Sequence, residues 1–103
     1  MLLVRDVFHC KPGKANALIN TFQKTLPLFQ KQEGMRNARI LVDLVADYWT
    51  VVLETEVDDI SVFAREMETS GDNQEIRQAM QGYMDNVEGG HREIFRIYQP
   101  ASA

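Results

Sequence analysis

Apolar residues along this chain alternate, then repeat at helical spacing, and then alternate again. Between Leu2 and Cys10, Leu2, Val4, Phe8 and Cys10 fall on one side of an extended segment, with Asp6 a polar insertion among them. Leu3, Val7 and His9 fall on the other side with Arg5. This spacing predicts a strand. It ends at Lys11-Pro12-Gly13-Lys14, because Pro12 holds Lys11 extended and Gly13 lets the chain turn. Ala15, Leu18, Ile19, Phe22, Leu26 and Phe29 then form an apolar stripe down one side of a helix. Pro27 removes a backbone donor that would reach the Gln23 carbonyl, so a kink or a late end is expected there, with Glu33-Gly34 as the stop.

Two further alternating runs follow. Asn37 to Leu44 sets Ala38, Ile40, Val42 and Leu44 against Asn37, Arg39, Leu41 and Asp43, and Tyr48 to Val57 sets Trp49, Val51, Leu53 and Thr55 on one side. The Val45-Ala46-Asp47 link is too short to cross over to a parallel strand, so the two runs are expected to form a hairpin. Asp58 reads as a helix cap, with Val57 and Val62 placed for a hydrophobic staple. Ile60, Phe63, Ala64 and Met67 predict a short amphipathic helix that Thr69-Ser70-Gly71 should break. Asp72-Asn73-Gln74-Glu75 has capping-box spacing and should open a second helical piece, its inner face Ile76, Met80, Tyr83, Met84 and Val87. Gly89-Gly90 is expected to end that piece. His91 to Tyr98 reads as the last strand, and Pro100 to Ala103 as a fraying tail.

The order is therefore strand–helix–strand–strand–helix–strand. Right-handed crossovers place both helical segments on one side of a sheet of four strands. The other side should carry Leu3 and Val7, Leu41, Val52 with Tyr48, and Ile94 with Tyr98. A solvated sheet face normally shows clean polar positions, and this one is mixed, which predicts that something covers it. A two-fold copy of the same chain is the simplest cover. At roughly 25 cal/mol per Å² of apolar area, a modest sheet-on-sheet contact would contribute several kcal/mol.

Composition narrows the function classes. The 103 residues suit one domain, placed at residues 1–99 with a tail at 100–103, and 45% of them are hydrophobic, enough for a core. A net charge of −4 with eleven scattered Lys and Arg argues against nucleic acid or an anionic membrane as partner. No apolar run reaches the length of a membrane span or resembles a signal peptide. Cys10 is the one cysteine, which excludes an internal disulfide and fits a cytoplasmic protein; it reads as a small packed hydrophobe.

Lys11-Pro12-Gly13-Lys14, the stretch Glu33-Gly34-Met35-Arg36-Asn37-Ala38-Arg39 and the hairpin exit Asp47-Tyr48-Trp49-Thr50 together resemble one family. The chain is similar, over about residues 2 to 99, to the small dimeric α+β barrel proteins. These include antibiotic-biosynthesis-type monooxygenases, haem-degrading monooxygenases and NIPSNAP-like domains. The resemblance implies an α+β, ferredoxin-like βαββαβ fold with a four-stranded antiparallel-type sheet, a homodimer through sheet faces, and a ligand cavity between sheet and helices. It is weak for activity, since this fold hosts unrelated chemistries. Members that are cofactor-independent oxygenases let an oxidisable aromatic substrate react with oxygen directly. Departures are informative. Glu56 and Arg65 fall where monooxygenase-type members often carry a Trp and a His, while Trp49 lies at the start of its strand. Asp6 stands nearest to the first-strand Asn of haem-degrading members, and no His lies between His9 and His91, so no haem and no other cofactor is expected.

Three residues are candidates for catalysis. His9 and His91 sit at the end of the first strand and the start of the last, which this topology makes antiparallel neighbours. With Glu93, Glu54 or Glu56 near, two imidazoles could support acid–base work or hold a metal, provided the register puts them on one face; no metal site is assigned. Otherwise they are ordinary solvated histidines. Asp6, beside Arg5, is a carboxylate on an apolar face, suited either to taking a proton from a phenolic substrate or to a salt bridge with Arg92 or Arg96. Trp49, Phe63, Met80, Tyr83 and Met84, with Phe95 from below, are candidate walls for a flat apolar ligand, or plain core. Two functions stay open: a homodimer binding a compact hydrophobic or aromatic molecule, as a monooxygenase-like oxidoreductase, and a non-catalytic NIPSNAP-like dimer binding a ligand or protein.

Overall fold

A computed structural model describes residues 1–98, apart from the side chains of 70–72. Strand β1 (Leu2–Cys10) leads into helix α1 (Ala15–Gln30), then β2 (Met35–Val42), β3 (Thr50–Val57), α2 (Ile60–Asp72), α3 (Gln74–Ala79), a one-turn 3-10 helix (Tyr83–Asn86) and β4 (Val87–Arg96). The four strands form one sheet in the order β2-β3-β1-β4, every neighbouring pair antiparallel. This is the expected α+β, ferredoxin-like arrangement. The expected tail, 100–103, lies outside the described residues.

Both helical segments cover one face. Leu18 and Phe22 of α1 pack against Cys10, Val51 and Leu53, and Phe63 of α2 packs on a second cluster of Val4, Met35 and Val57. These positions follow the alternation of β1 and β3 and the stripe of α1, so hydrophobic periodicity alone located this core. Pro27 does not end α1, which runs on to Gln30. Gly34 holds a left-handed conformation (φ +83°), and a Cβ there would stand 2.7 Å from Val62 Cγ1, so both backbone and packing require glycine.

The element boundaries differ from the sequence pattern where side chains capture the backbone. β2 begins at Met35 rather than Asn37, and its pairing with β3 breaks between Arg36 and Arg39, where Asn37 adopts φ +52°. β3 begins at Thr50 rather than Tyr48. Trp49 has φ +65°, and the Asp43 carboxylate and Asp47 carbonyl accept from the Thr50 N–H and hydroxyl, at 3.0 and 2.5 Å, closing a longer loop over 43–49. Leu44 and Val45 are each 98% exposed in that loop, so Leu44 is no strand residue.

The α2 cap is Asp59, whose carboxylate accepts from the Val62 N–H at 2.9 Å; Asp58 pairs instead with Arg36. α2 continues through Thr69-Ser70-Gly71 to Asp72. The cap of α3 is Asn73, not Asp72: its side chain accepts from the Ile76 N–H at 3.2 Å. α3 is short, and Gly82 (φ +79°) turns the chain into the 3-10 helix. Gly89 and Gly90 do not stop a helix but lie inside β4. Gly90 sits opposite Phe8, where a Cβ would come within 2.1 Å of the Val7 carbonyl oxygen, so close approach of β1 explains the glycine.

Candidate functional site

The helices cover the sheet unevenly. α1 packs over β2 and β3, α2 over β3, and β4 is flanked on that side by the 3-10 helix. An open groove of about 330 Å³ results. Phe8, Gly90 and Arg92 supply its floor, and Tyr83, Met84 and Val87 its wall. The register explains the floor, because Phe8 and Asp6 lie directly opposite Gly90 and Arg92 on the helix side. With no side chain at Gly90, the ring of Phe8 is left uncovered from that direction. Tyr83 stands edge-on to Phe8, ring centroids 6.3 Å apart at 90°, and Phe8 in turn leans on Phe22 at 5.1 Å. The groove is thus an extension of the core to the surface.

Asp6 closes one end. Arg92 donates to it through Nε at 2.5 Å and Nη2 at 3.4 Å, and the guanidinium carbon lies 5.1 Å from the centre of the Phe63 ring. Asp6 also borders a small cavity of about 30 Å³ deeper between sheet and helices, with Phe63, Met67 and Phe29 around it. The ion pair therefore stands between an outer groove and an inner space. Its Asp–Arg cross-strand geometry is the salt-bridge alternative for Asp6. Arg5 is not its partner, since adjacent strand residues point to opposite faces.

His9 and His91 occupy the opposite face. His9 is paired with Gly89 and His91 with Val7, which puts both imidazoles on one side, ring centroids 6.2 Å apart. His91 Nε2 lies 3.2 Å from Glu93. Glu54 and Glu56 do not join them. Glu54 accepts from Arg5 at 2.8 Å and from Arg39 at 2.7 Å, and Glu56 accepts from Asn37 at 3.1 Å. The two imidazoles thus point away from Asp6, although His91, between Gly90 and Arg92 in β4, also borders the groove that Asp6 closes; His9 does not. Among the described residues no group of three or more His, Cys, Asp or Glu is arranged to hold a metal ion.

The aromatic and Met candidates separate. Tyr83 and Met84 line the groove; Phe63 lies at the inner cavity under Arg92. Met80 packs on the main core, and its sulfur accepts from the Thr25 hydroxyl at 3.2 Å. Trp49 stays in the 43–49 loop, where its carbonyl accepts from the Cys10 N–H at 2.8 Å, and it does not border the groove. Phe95, opposite Leu3, is on the open face and not below the cavity. Ile94, opposite Val4, is on the helix side and not on the open face. Tyr48 lies in the loop. Burial, reinforced by Asp43, pushes the Cys10 thiol up, consistent with a packed, unreactive group.

The sequence pattern missed two features. Phe8 and Gly90 form the groove floor, which only the register reveals. The chain of pairs Arg39–Glu54–Arg5–Glu93 crosses the open face from β2 to β4. Its signal was present as outward-facing charges of alternating sign, one per strand.

No protein-family model and no curated protein matches the chain. Solved structures do match. A NIPSNAP domain protein from Burkholderia xenovorans superposes with a TM-score of 0.79 at 15% identity, covering 100% of this chain and 98% of its own. A NIPSNAP family protein from Agrobacterium tumefaciens gives 0.78 at 8% identity, over 92% and 90%. A candidate antibiotic biosynthesis monooxygenase from Nitrosomonas europaea gives 0.78 at 15% identity, over 96% and 100%. The chain shares the fold of both groups. At these identities the likeness extends to the backbone, in agreement with the resemblance seen in the sequence. No helix among the described residues is long and apolar enough to cross a membrane.

Proposed function

We propose that this chain is a single-domain cytoplasmic homodimer that binds a compact hydrophobic or aromatic molecule in the groove beside β4. The observation that carries this reading is the groove itself: an aromatic floor and wall, Phe8 and Tyr83, open to solvent, with one neutralised ion pair at its end. Its volume is at the lower limit for small-molecule sites, which suits a one- or two-ring ligand. Because Asp6 and Arg92 offset each other, the groove favours an uncharged ligand whose hydroxyl can donate to Asp6. The dimer part rests on the open sheet face, where Leu3, Val7, Leu41, Val52 and Phe95 share one side; Leu41 and Phe95 are exposed there, whereas Val7 and Val52 are already buried by their neighbours.

A monooxygenase-like oxidation is the second reading, favoured by Asp6 and Tyr83 bordering the same groove. There Asp6 would take the proton of a phenolic substrate that then reacts with oxygen. The non-catalytic alternative is favoured by the pairing of Asp6 with Arg92 and by the location of both histidines on the other face.

Thermal-shift titration with flat aromatic alcohols tests the binding claim. Stabilisation that disappears in Met84→Trp, a groove-filling change at an exposed position, supports it; equal shifts in both proteins, or none in either, contradict it. Oxygen consumption with quinols and phenols separates the two readings. Turnover lost in Asp6→Asn supports oxidation, and binding without turnover supports the non-catalytic dimer.

A further inference from the structure

The imidazoles of His9 and His91 take no part in the groove, yet the register sets them side by side. His9 follows Arg5 and Val7 on the open face of β1, and its direct partner on β4 is Gly89. His91 lies diagonally across on the same face, with the ring centres 6.2 Å apart. Gly89 lets the rings meet. A Cβ there would find no heavy atom within 4 Å, and the residue has no positive φ, so neither packing nor backbone requires glycine as they do at other positions. What glycine supplies at 89 is space: a slot on the open face with an imidazole at each side.

The chemistry around the slot suits a cation. A carboxylate only accepts, so the 3.2 Å contact between His91 Nε2 and Glu93 puts the hydrogen of the neutral ring on Nε2 and leaves the lone pair on Nδ1. Glu93 is itself anchored, since Arg5 Nη1 donates to its other oxygen at 2.8 Å. Metal-binding histidines are commonly oriented in this way, through the far nitrogen by a fixed carboxylate. His9 makes its ring contact with His91 and no hydrogen bond among the described residues. Thr50, opposite His9 on β3, already donates to the Asp47 carbonyl. Metal–nitrogen bonds of about 2.0 Å place the ring centres of two imidazoles on one tetrahedral ion about 5 Å apart. Rotation of His91, whose side chain is 52% exposed, closes the present separation to that value. The neighbouring Arg39, Glu54, Arg5 and Glu93 sum to zero charge, so a dication meets no net repulsion.

We propose that His9 and His91 bind one divalent transition-metal ion in the slot over Gly89, with Glu93 orienting His91. Among the described residues no third His, Cys, Asp or Glu joins them. The site is therefore an open one, two imidazoles with the remaining positions left to water or an outside donor. Imidazole donors without a thiolate favour copper(II) over nickel(II) and zinc, and they disfavour magnesium, which demands oxygen ligands. The site needs one chain only and is independent of the groove ligand and of the dimer.

Calorimetric titration of the untagged chain with copper(II), nickel(II), zinc and magnesium chlorides, in a non-coordinating buffer, tests the assignment. One copper ion per chain is expected, with nickel and zinc weaker and magnesium silent. His9→Ala and His91→Ala should each weaken copper binding roughly 100-fold, because either change removes the second, intramolecular ligand. Gly89→Val keeps both ligands but fills the slot, and should also weaken binding. Pulsed electron paramagnetic resonance should register two imidazoles on copper in the wild type and one in each histidine variant. Glu93→Gln should weaken binding roughly tenfold while both imidazoles stay in the spectrum; unchanged affinity would overturn its part in the site. Circular dichroism checks that the variants are folded, and should an alanine variant unfold, the wild-type imidazole count decides. Fewer than two imidazoles, affinity equal in wild type and histidine variants, or no copper bound at about 100 μM metal overturns the proposal. Copper held by the terminal amine would show no imidazole and counts against it equally.

Discussion

On the helix side of the sheet the inward residues of β1 and β3 are apolar except at Asp6 and Thr55, and an ion pair, Asp6–Arg92, lies at the edge the helices leave open. On the open side, four charges cross the middle of the sheet between a band of Leu41, Val52 and Val7 and a corner of Leu3 and Phe95. The same four strands thus present two different surfaces. One is closed by the chain's own helices, where apolar volume decides the packing. No helix covers the other, and a row of lateral ion pairs crosses it. Side-chain alternation makes this division possible, since a single strand such as β1 sends Val4 and Phe8 one way and Arg5 and Val7 the other.

Truncation breaks the comparison most severely on the helix side. Phe22 is fully buried between α1 and the sheet, and Phe22→Ala should cost about 3–5 kcal/mol in urea unfolding. Leu41→Ala on the open face should cost much less of that stability and should instead weaken self-association. Gly90→Ala comes next. Its Cβ would meet the Val7 carbonyl, and parting β1 from β4 should cost roughly 1–3 kcal/mol and distort the groove floor, seen as a lower Tm and weaker ligand stabilisation. Glu54→Gln removes the negative charge between Arg5 and Arg39 and replaces one of the two oxygens that accept from them with a donor; a loss of about 1–2 kcal/mol is expected.

Asp6→Asn should be milder. Arg92 is half exposed, so screening reduces the pair to about 0.5–1 kcal/mol of stability, while the effect on ligand binding should be the larger one. The smallest effect concerns Cys10. Its thiol is raised in the folded chain, so above the ordinary cysteine pKa the unfolded chain loses its proton first. Stability should therefore decline as pH rises through that range, and Cys10→Ser should remove this part of the alkaline slope in denaturant titrations at successive pH values.

The sequence pattern carried the element order, the hairpin and the core of Leu18, Phe22, Val51 and Leu53, because periods of 2 and 3.6 residues record burial directly. It misplaced the ends. Asp59 and Asn73 act as caps where Asp58 and Asp72 carry the same chemistry one residue earlier, and local spacing does not discriminate between such neighbours. Gly89-Gly90 reads as a helix stop, yet both lie in β4, and what requires glycine at position 90 is a contact with Val7, far away in sequence. The groove and the charge row depend on register across β1, β3 and β4. A shift of one residue would send Asp6 and Arg5 to each other's faces. His9 and His91 share a face for the same reason, and the register also separates them from Asp6.

Sedimentation equilibrium of the wild-type chain at micromolar concentration tests the central claim most directly. A species of twice the 11.8 kDa chain mass, dissociating more readily as salt is added, is the expected result. A stable, well-folded 11.8 kDa species across that concentration range would contradict it, because the open face would then need no cover.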